Sequence, residues 1–216
     1  MKTARHLITA CTVLLAAGTV AAAPVTPDSY NMLNGNTGSF QYWDQIYTGA
    51  GCVTCDNAAL SGGRGDLTDG IIAANNWFVD EAPAGNGPYV GWTLNPTITF
   101  HWTSAITLNS LTFYLDDANG AGGVSAPSSI VVDGVSHAVA DPAGSAPFAF
   151  TVSGLSFTGT DLVVTLNRRN SWVFLSEVSF DGVAPGRVPE PGSLALLAAA
   201  LGALGFSTRR SRSRSR

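Results

Sequence analysis

From Thr97 onward the chain changes polarity at almost every residue. Ile98, Phe100 and Trp102 alternate with Thr97, Thr99 and His101, and Leu111, Phe113 and Leu115 with Thr112, Tyr114 and Asp116. The same period returns in Phe148, Phe150 and Val152 and in Leu162, Val164 and Leu166. Successive side chains of extended backbone point to opposite faces, so each run predicts a half-buried strand. Ile130-Val131-Val132 and Val135-Ser136-His137 flank Asp133-Gly134, whose two residues suit a hairpin turn needing positive φ. Trp172 to Phe180 reads as a last strand. No interior stretch sustains the 3.6-residue period of a helix. Breaks are frequent, at Asn119-Gly120, Gly122-Gly123 and Asp141-Pro142. Many short strands with such turns predict an all-β fold, an antiparallel two-sheet sandwich.

Residues 28–90 carry no clean period. Tyr30, Phe40, Tyr42, Trp43 and Tyr47 lie among Gly, Asn and Asp, which predicts one or two early strands and long loops packed by aromatics.

The two ends differ from the middle. Lys2, Arg5 and His6 precede an apolar run from Leu7 to Val20, and Ala21-Ala22-Ala23 follows, the pattern of a signal peptide cut after Ala22. At the other end stand Pro189-Glu190-Pro191, an uncharged run from Leu194 to Phe206, and Arg209, Arg210, Arg212, Arg214 and Arg216. A helix over 192–208 would be about 25 Å long at ~1.5 Å per residue, slightly short of a ~30 Å hydrocarbon core. The arginines would stop transfer and stay cytoplasmic. The expected organisation is therefore a signal helix over 1–22, a β-sandwich ectodomain over 23–187, and a C-terminal segment over 188–216.

That C-terminal order of tripeptide, apolar segment and basic end resembles the PEP-CTERM sorting signal of Gram-negative bacteria. The resemblance implies residence in the inner membrane before processing, with Pro189, Glu190 and Pro191 recognised by an exosortase-type membrane transpeptidase. It further implies removal of the tail and export to the cell surface or an exopolysaccharide matrix. An ordinary C-terminal anchor is the alternative.

Between Pro24 and Gly186 the cations are Arg64, Arg168 and Arg169, against fourteen Asp and Glu, a net of −11. Such a surface repels nucleic acid and anionic lipid. A cation such as calcium, or a neutral polysaccharide, suits it better. Cys11 leaves with the signal peptide, and Cys52 and Cys55 remain as an even pair in an oxidising compartment. They sit among Gly49, Gly51, Asp56 and Asn57, which is loop composition, so the expectation is a local disulfide rather than a redox motif opening a helix.

A second likeness runs through the middle. Leu67-Thr68-Asp69-Gly70, Gly91-Trp92, Ile98-Thr99-Phe100, Leu111-Thr112-Phe113-Tyr114, Pro127 before Ile130-Val131-Val132, and Leu175-Ser176-Glu177-Val178 follow in order. Over about residues 60–182 this is similar to the galactose-binding-like, discoidin-type jelly roll. The resemblance implies a jelly-roll form of the sandwich and a calcium ion bracketed by Asp69 and Glu177, with Asp66 one turn earlier adding a ligand. Calcium takes six to eight oxygens in flexible geometry, and Asp66, Thr68 and Asp69 in a glycine-bounded loop supply such oxygens. Glu177 falls beside Val173 and Leu175 in the alternation, and a carboxylate on an apolar face needs a partner. The same loop without a cation is a solvated turn.

No metalloprotease helix motif, nucleophile elbow or phosphate-binding glycine loop is present. Asp80-Glu81 and Asp116-Asp117 read as solvent-facing loop acids rather than a glycosidase pair. His101 and His137 lie on polar strand faces. The expectation is a non-catalytic protein, for which two functions stand. One is a glycan-binding module whose contacts are Trp77, Phe78, Tyr89 and Trp92, because sugars stack on exposed aromatic faces. The other is a structural matrix protein with no small ligand, in which those four rings are packing.

Overall fold

Two very long strands organise the domain. In a computed structural model, which describes residues 23–82 and 86–184, β5 runs Thr97–Leu115 and β8 runs Phe148–Asn167. The other elements are β1 (Ala23–Pro24), β2 (Ser29–Leu33), β3 (Ala59–Gly63), α1 (Trp77–Asp80), β4 (Val90–Trp92), β6 (Ser129–Val132), β7 (Val135–Ala138) and β9 (Val173–Val183). All strand pairs are antiparallel. The all-β sandwich read from the alternation is the observed fold. The signal peptide, Pro189–Pro191 and the apolar 192–208 segment lie outside the described residues. Among the described residues no helix is long and apolar enough to cross a membrane.

The alternation predicts separate strands at 97–102 and 111–116, and at 148–152 and 162–166. Each pair is instead one strand that changes layer. His101 pairs with Asp161 and the next partners are Ile106 and Gly159, so four residues of β5 stand against one of β8. A bulge of this kind bends a strand, and strands that switch sheets make the corners of a sandwich. The first half of β5 lies in a layer ordered β3-β2-β5-β8-β6-β7. Its second half lies between β8 and β9 in the other layer, where β1 and β4 flank β9. The core joins the layers: Phe180 of β9 packs edge-on against Phe100 at 4.8 Å and Trp102 at 5.3 Å. The Asp133-Gly134 turn joins β6 and β7, with φ of 48° and 80°.

One slip of register moves a candidate ligand. Leu115 pairs with Leu175 but Tyr114 pairs with Glu177, so Ser176 is extra. Val173 and Leu175 face the core before the slip, and Val178 and Phe180 face it after. Glu177 therefore stands on the outer face with Tyr114, not beside Val173 and Leu175 as strict alternation predicts. The long loops of residues 34–47 and 64–80 cover that face. Leu67 accepts a 3.0 Å hydrogen bond from Val178 N–H, and Ala73 N–H donates to Ser176 Oγ at 3.3 Å.

Candidate functional site

The covered outer face of β9 carries a second, smaller apolar cluster, separate from the sandwich core. Tyr42, Trp77, Tyr89, Val124 and Phe174 form it, with Phe40 and Trp172 packed against it half-exposed. Tyr42 is the hub. Its ring meets Phe174 at 4.7 Å, Trp172 at 5.3 Å and Trp77 at 5.8 Å, all edge-on. Trp77 in turn stacks on Phe174 at 6.1 Å. Such pairs favour offset or edge-to-face geometry, so the cluster is rigid packing.

Above it opens a cleft of about 210 Å³, floored by Tyr42, Trp77, Trp172 and Phe174 and rimmed by Gly38, Ser39 and Gly122. The rim glycines hold the rings at contact. A Cβ on Gly38 would lie 2.7 Å from the Tyr42 ring, and one on Gly122 would lie 2.5 Å from Trp77 Cζ2. The indole N–H of Trp77 is buried and has no hydrogen-bond partner among the described residues.

Buried acids fix the loops that carry these rings. Asp116 accepts from the backbone N–H of Trp77 at 3.0 Å and from Asn76 Nδ2 at 2.7 Å. Asp117 accepts from the N–H of Asn119 at 3.0 Å, and Glu81 from the N–H groups of Gly87 at 3.0 Å and Tyr89 at 2.8 Å. Asp116, Asp117 and Glu81 are buried, which corrects the expectation that these adjacent acids face solvent. Burial pushes Asp116 up to about 6 against the hydrogen bonds from Trp77 and Asn76, and Glu81 up to about 7.

The four predicted aromatic contacts divide. Phe78 is 46% exposed, but Trp77 is 9%, Tyr89 1% and Trp92 0%. Trp92 donates its indole N–H to Leu33 O at 2.8 Å and Tyr89 its hydroxyl to Asn75 O at 2.9 Å, so both are satisfied packing residues. They form no shared exposed platform. Trp77 alone of the four lines the cleft, beside Tyr42 and Trp172, which the sequence reading did not select.

The acidic residues also divide. Gly70 N–H donates to Glu177 Oε2 at 3.0 Å, so the Asp-Gly loop and the last strand do meet. Between them lies a second cavity of about 210 Å³ lined by Thr68, Asp69, Glu177, Thr26 and Ser179 among others. Thr68 Oγ1 is buried there without a partner. Asp69 Oδ1 accepts from Ile71 N–H at 2.8 Å. Burial, then the nearby Asp69 charge, raises Glu177 to about 7 against the hydrogen bond from Gly70. Asp66 points elsewhere. Its N–H donates to Asp44 Oδ1 at 3.0 Å, and Asp44 is itself fully buried and accepts from the Tyr30 hydroxyl. Burial, then the Asp44 and Asp69 charges, push the Asp66 carboxyl well above the usual carboxylate range. Asp66 does not line the cavity that Asp69 and Glu177 share. Among the described residues no three His, Cys, Asp or Glu gather as a metal site.

Cys52 and Cys55 are joined by a disulfide, with a Cα–Cα distance of 5.4 Å. The loop they close is tied to the neighbouring one through Asp56, which accepts from Thr37 N–H and Trp43 Nε1, each at 2.7 Å.

The C-terminal end is decided by comparison. Residues 187–212 match the family model described as the PEP-CTERM protein-sorting motif. The chain carries a PEP-CTERM sorting motif. Such a motif implies export through membrane-associated sorting by an exosortase, so Pro189-Glu190-Pro191 and the apolar and basic segments behind it form one signal. No curated protein matches the chain. Among solved structures, the chain is similar to the family 32 carbohydrate-binding module of Clostridium perfringens NanJ in complex with galactose. That match has 13% identity and a TM-score of 0.34, over 54% of this chain and 82% of that one. It is similar to a second Clostridium perfringens module, CBM32-3 from a family 31 glycoside hydrolase, at 17% identity and a TM-score of 0.33, over 48% and 82%. A fucolectin from striped bass (Morone saxatilis) serum matches at 10% identity and a TM-score of 0.37, over 74% and 79%.

Proposed function

We propose that the mature protein is a non-catalytic saccharide-binding module that holds sugar rings in the cleft of Tyr42, Trp77 and Trp172. On this reading the PEP-CTERM segment holds it briefly in the inner membrane, an exosortase-type transpeptidase removes the tail, and the domain stays at the cell surface or in the exopolysaccharide matrix. The observation that carries the reading is the cleft itself. It offers the rings of Tyr42, Trp77 and Trp172 as aromatic surface to the apolar faces of a sugar, beside the polar rim residue Ser39. A few placed polar groups in an aromatic pocket suit a small neutral ligand. The net charge of −11 between Pro24 and Gly186 disfavours an anionic one.

The topology suits display. Ala23 pairs with Gly182, so the first and last described strands of the domain lie side by side, at the end of β9. Trp172, at the cleft, precedes the start of β9, about 30 Å away at ~3.3 Å per residue. A domain retained through its C-terminus would present the cleft on the far side.

Calcium belongs to the same reading with a reduced ligand set. Thr68, Asp69 and Glu177 line one cavity and carry a hydroxyl and two carboxylates, oxygen ligands of the kind a hard cation takes. Bound there, calcium would clamp the loop to β9. A glycan array probed with the exported protein tests the saccharide reading. Trp172→Ala should abolish binding, while Phe78→Ala should leave it intact. A parent protein that binds no glycan would favour a purely structural matrix role.

A further inference from the structure

We propose that the protein pairs with a second copy of itself along the free edge of β8, through Phe148–Ser153. The first half of β8 bonds on one side only, from Phe148 opposite Leu115 to Ser153 opposite Ser110. Its other side has no partner strand among the described residues, because β6 takes up only Val164 to Asn167. A long unpaired edge is a template for another strand, and proteins usually blunt such edges with lysine or other charges. Here no charge occurs from Pro142 to Thr160. In a domain otherwise so acidic, this edge lets two copies approach without like-charge repulsion.

The segment is bounded and self-complementary. Pro147 precedes it and lacks an N–H. At the other end Ser110 pairs with Ser153 and Leu108 with Phe157, so Gly154, Leu155 and Ser156 stand against Asn109 alone and bend the strand away. Six residues remain, with Phe148, Phe150 and Val152 turned to the core side and Ala149, Thr151 and Ser153 exposed. Phe148 and Phe150 are only half-buried, and a neighbouring strand would cover them. An antiparallel edge related by a two-fold axis offers its own N–H and C=O groups in the order its mate needs. Two other edges are poorer. β7 has four residues, and Ser61 of β3 is already bridged to Ala50.

Pairing rests on this edge alone and not on the saccharide reading. Its consequence joins the two. The first half of β8 runs parallel to β9, since both are antiparallel to β5. Antiparallel pairing therefore reverses β9 between copies and points the two clefts in opposite directions, an arrangement that bridges.

The test uses protein recovered after export, without saccharide, in light scattering behind size exclusion over a concentration series. The parent should form dimers at the higher concentrations. Thr151→Lys sets two like charges across the two-fold axis and should give monomer with unchanged melting, while Val135→Lys on β7 should remain dimeric. Cys52 and Cys55 are bonded, so once Cys11 has left with the signal peptide a cysteine placed at Thr151 or Ser153 is the sole free thiol. Oxidation should cross-link the position nearest the axis. A parent that stays monomeric, a dimer indifferent to Thr151→Lys, or a monomer carrying a foreign extended peptide would overturn the proposal.

Discussion

Replacing Gly122 by alanine should damage the protein far more than the same change at Gly134, and the difference measures the cleft floor. Both glycines have left-handed backbone, with φ of 61° and 80°. An alanine in that conformation costs roughly 1–2 kcal/mol at either site. At Gly134 the new methyl meets nothing within 4 Å. At Gly122 it would sit 2.5 Å from Trp77 Cζ2, closer than any real contact. Trp77 cannot simply retreat. Its backbone N–H is held by Asp116 at 3.0 Å, and Tyr42 and Phe174 pack against its ring. Overpacking of this kind costs about 1–3 kcal/mol more. Gly122→Ala should therefore lose roughly 2–5 kcal/mol and Gly134→Ala roughly 1–2 kcal/mol. At about 2–4 °C per kcal/mol for a domain of this size, the two melting temperatures should separate visibly. Urea denaturation gives the free energies, and saccharide affinity should fall for Gly122→Ala only. Equal losses at the two sites would refute the rigid aromatic floor.

Further outcomes follow from the buried acids and the two ends. Glu81 and Glu177 are raised to about 7 and Asp116 to about 6, so between their ordinary values and these the folded state holds more protons than the unfolded one. Stability measured in chelator should rise as pH falls from about 8 to about 5, and Glu81→Gln should flatten that slope; a steady loss of stability over the same range would contradict it. Intact-mass analysis of surface protein should find Ala23 first and nothing after about Pro191, and a recovered arginine tail would exclude processing. Calcium at tenfold its dissociation constant should add about 1.4 kcal/mol to the parent, and Asp69→Ala or Glu177→Ala should remove that gain while Asp133→Ala keeps it. Identical melts with calcium and with chelator would leave the cavity without a cation.

The layers were legible because their cause is local. The alternation of Ile98, Phe100 and Trp102 is even-numbered and that of Leu111, Phe113 and Leu115 is odd-numbered, so the bulge between Leu108 and Ser110 is already written as a change of phase. The slip at Ser176 is written the same way in Leu175 and Val178. The Asp133-Gly134 hairpin needs only its own two residues. The cleft was not legible, because its four rings come from three distant places, at Tyr42, at Trp77, and at Trp172 with Phe174. Trp92 lies in a short strand and reads like an exposed aromatic until Leu33 is known to accept its N–H. Asp116, Asp117 and Glu81 look like surface acids because their partners are backbone N–H groups, which no side-chain pattern advertises. One signal was available: Asn119, Gly120, Gly122 and Gly123 all take positive φ, and so dense a run marks a turn built for close approach.

The saccharide cleft is best tested by following the five indole N–H resonances of ¹⁵N-labelled protein while neutral oligosaccharides are added. Trp77 and Trp172 should shift together and saturably, because both rings line the cleft. Trp92 should stay still, since its N–H is already bonded to Leu33 O. Shifts confined to Trp43 and Trp102, or no shift at any indole with a glycan that the protein binds, would contradict the cleft.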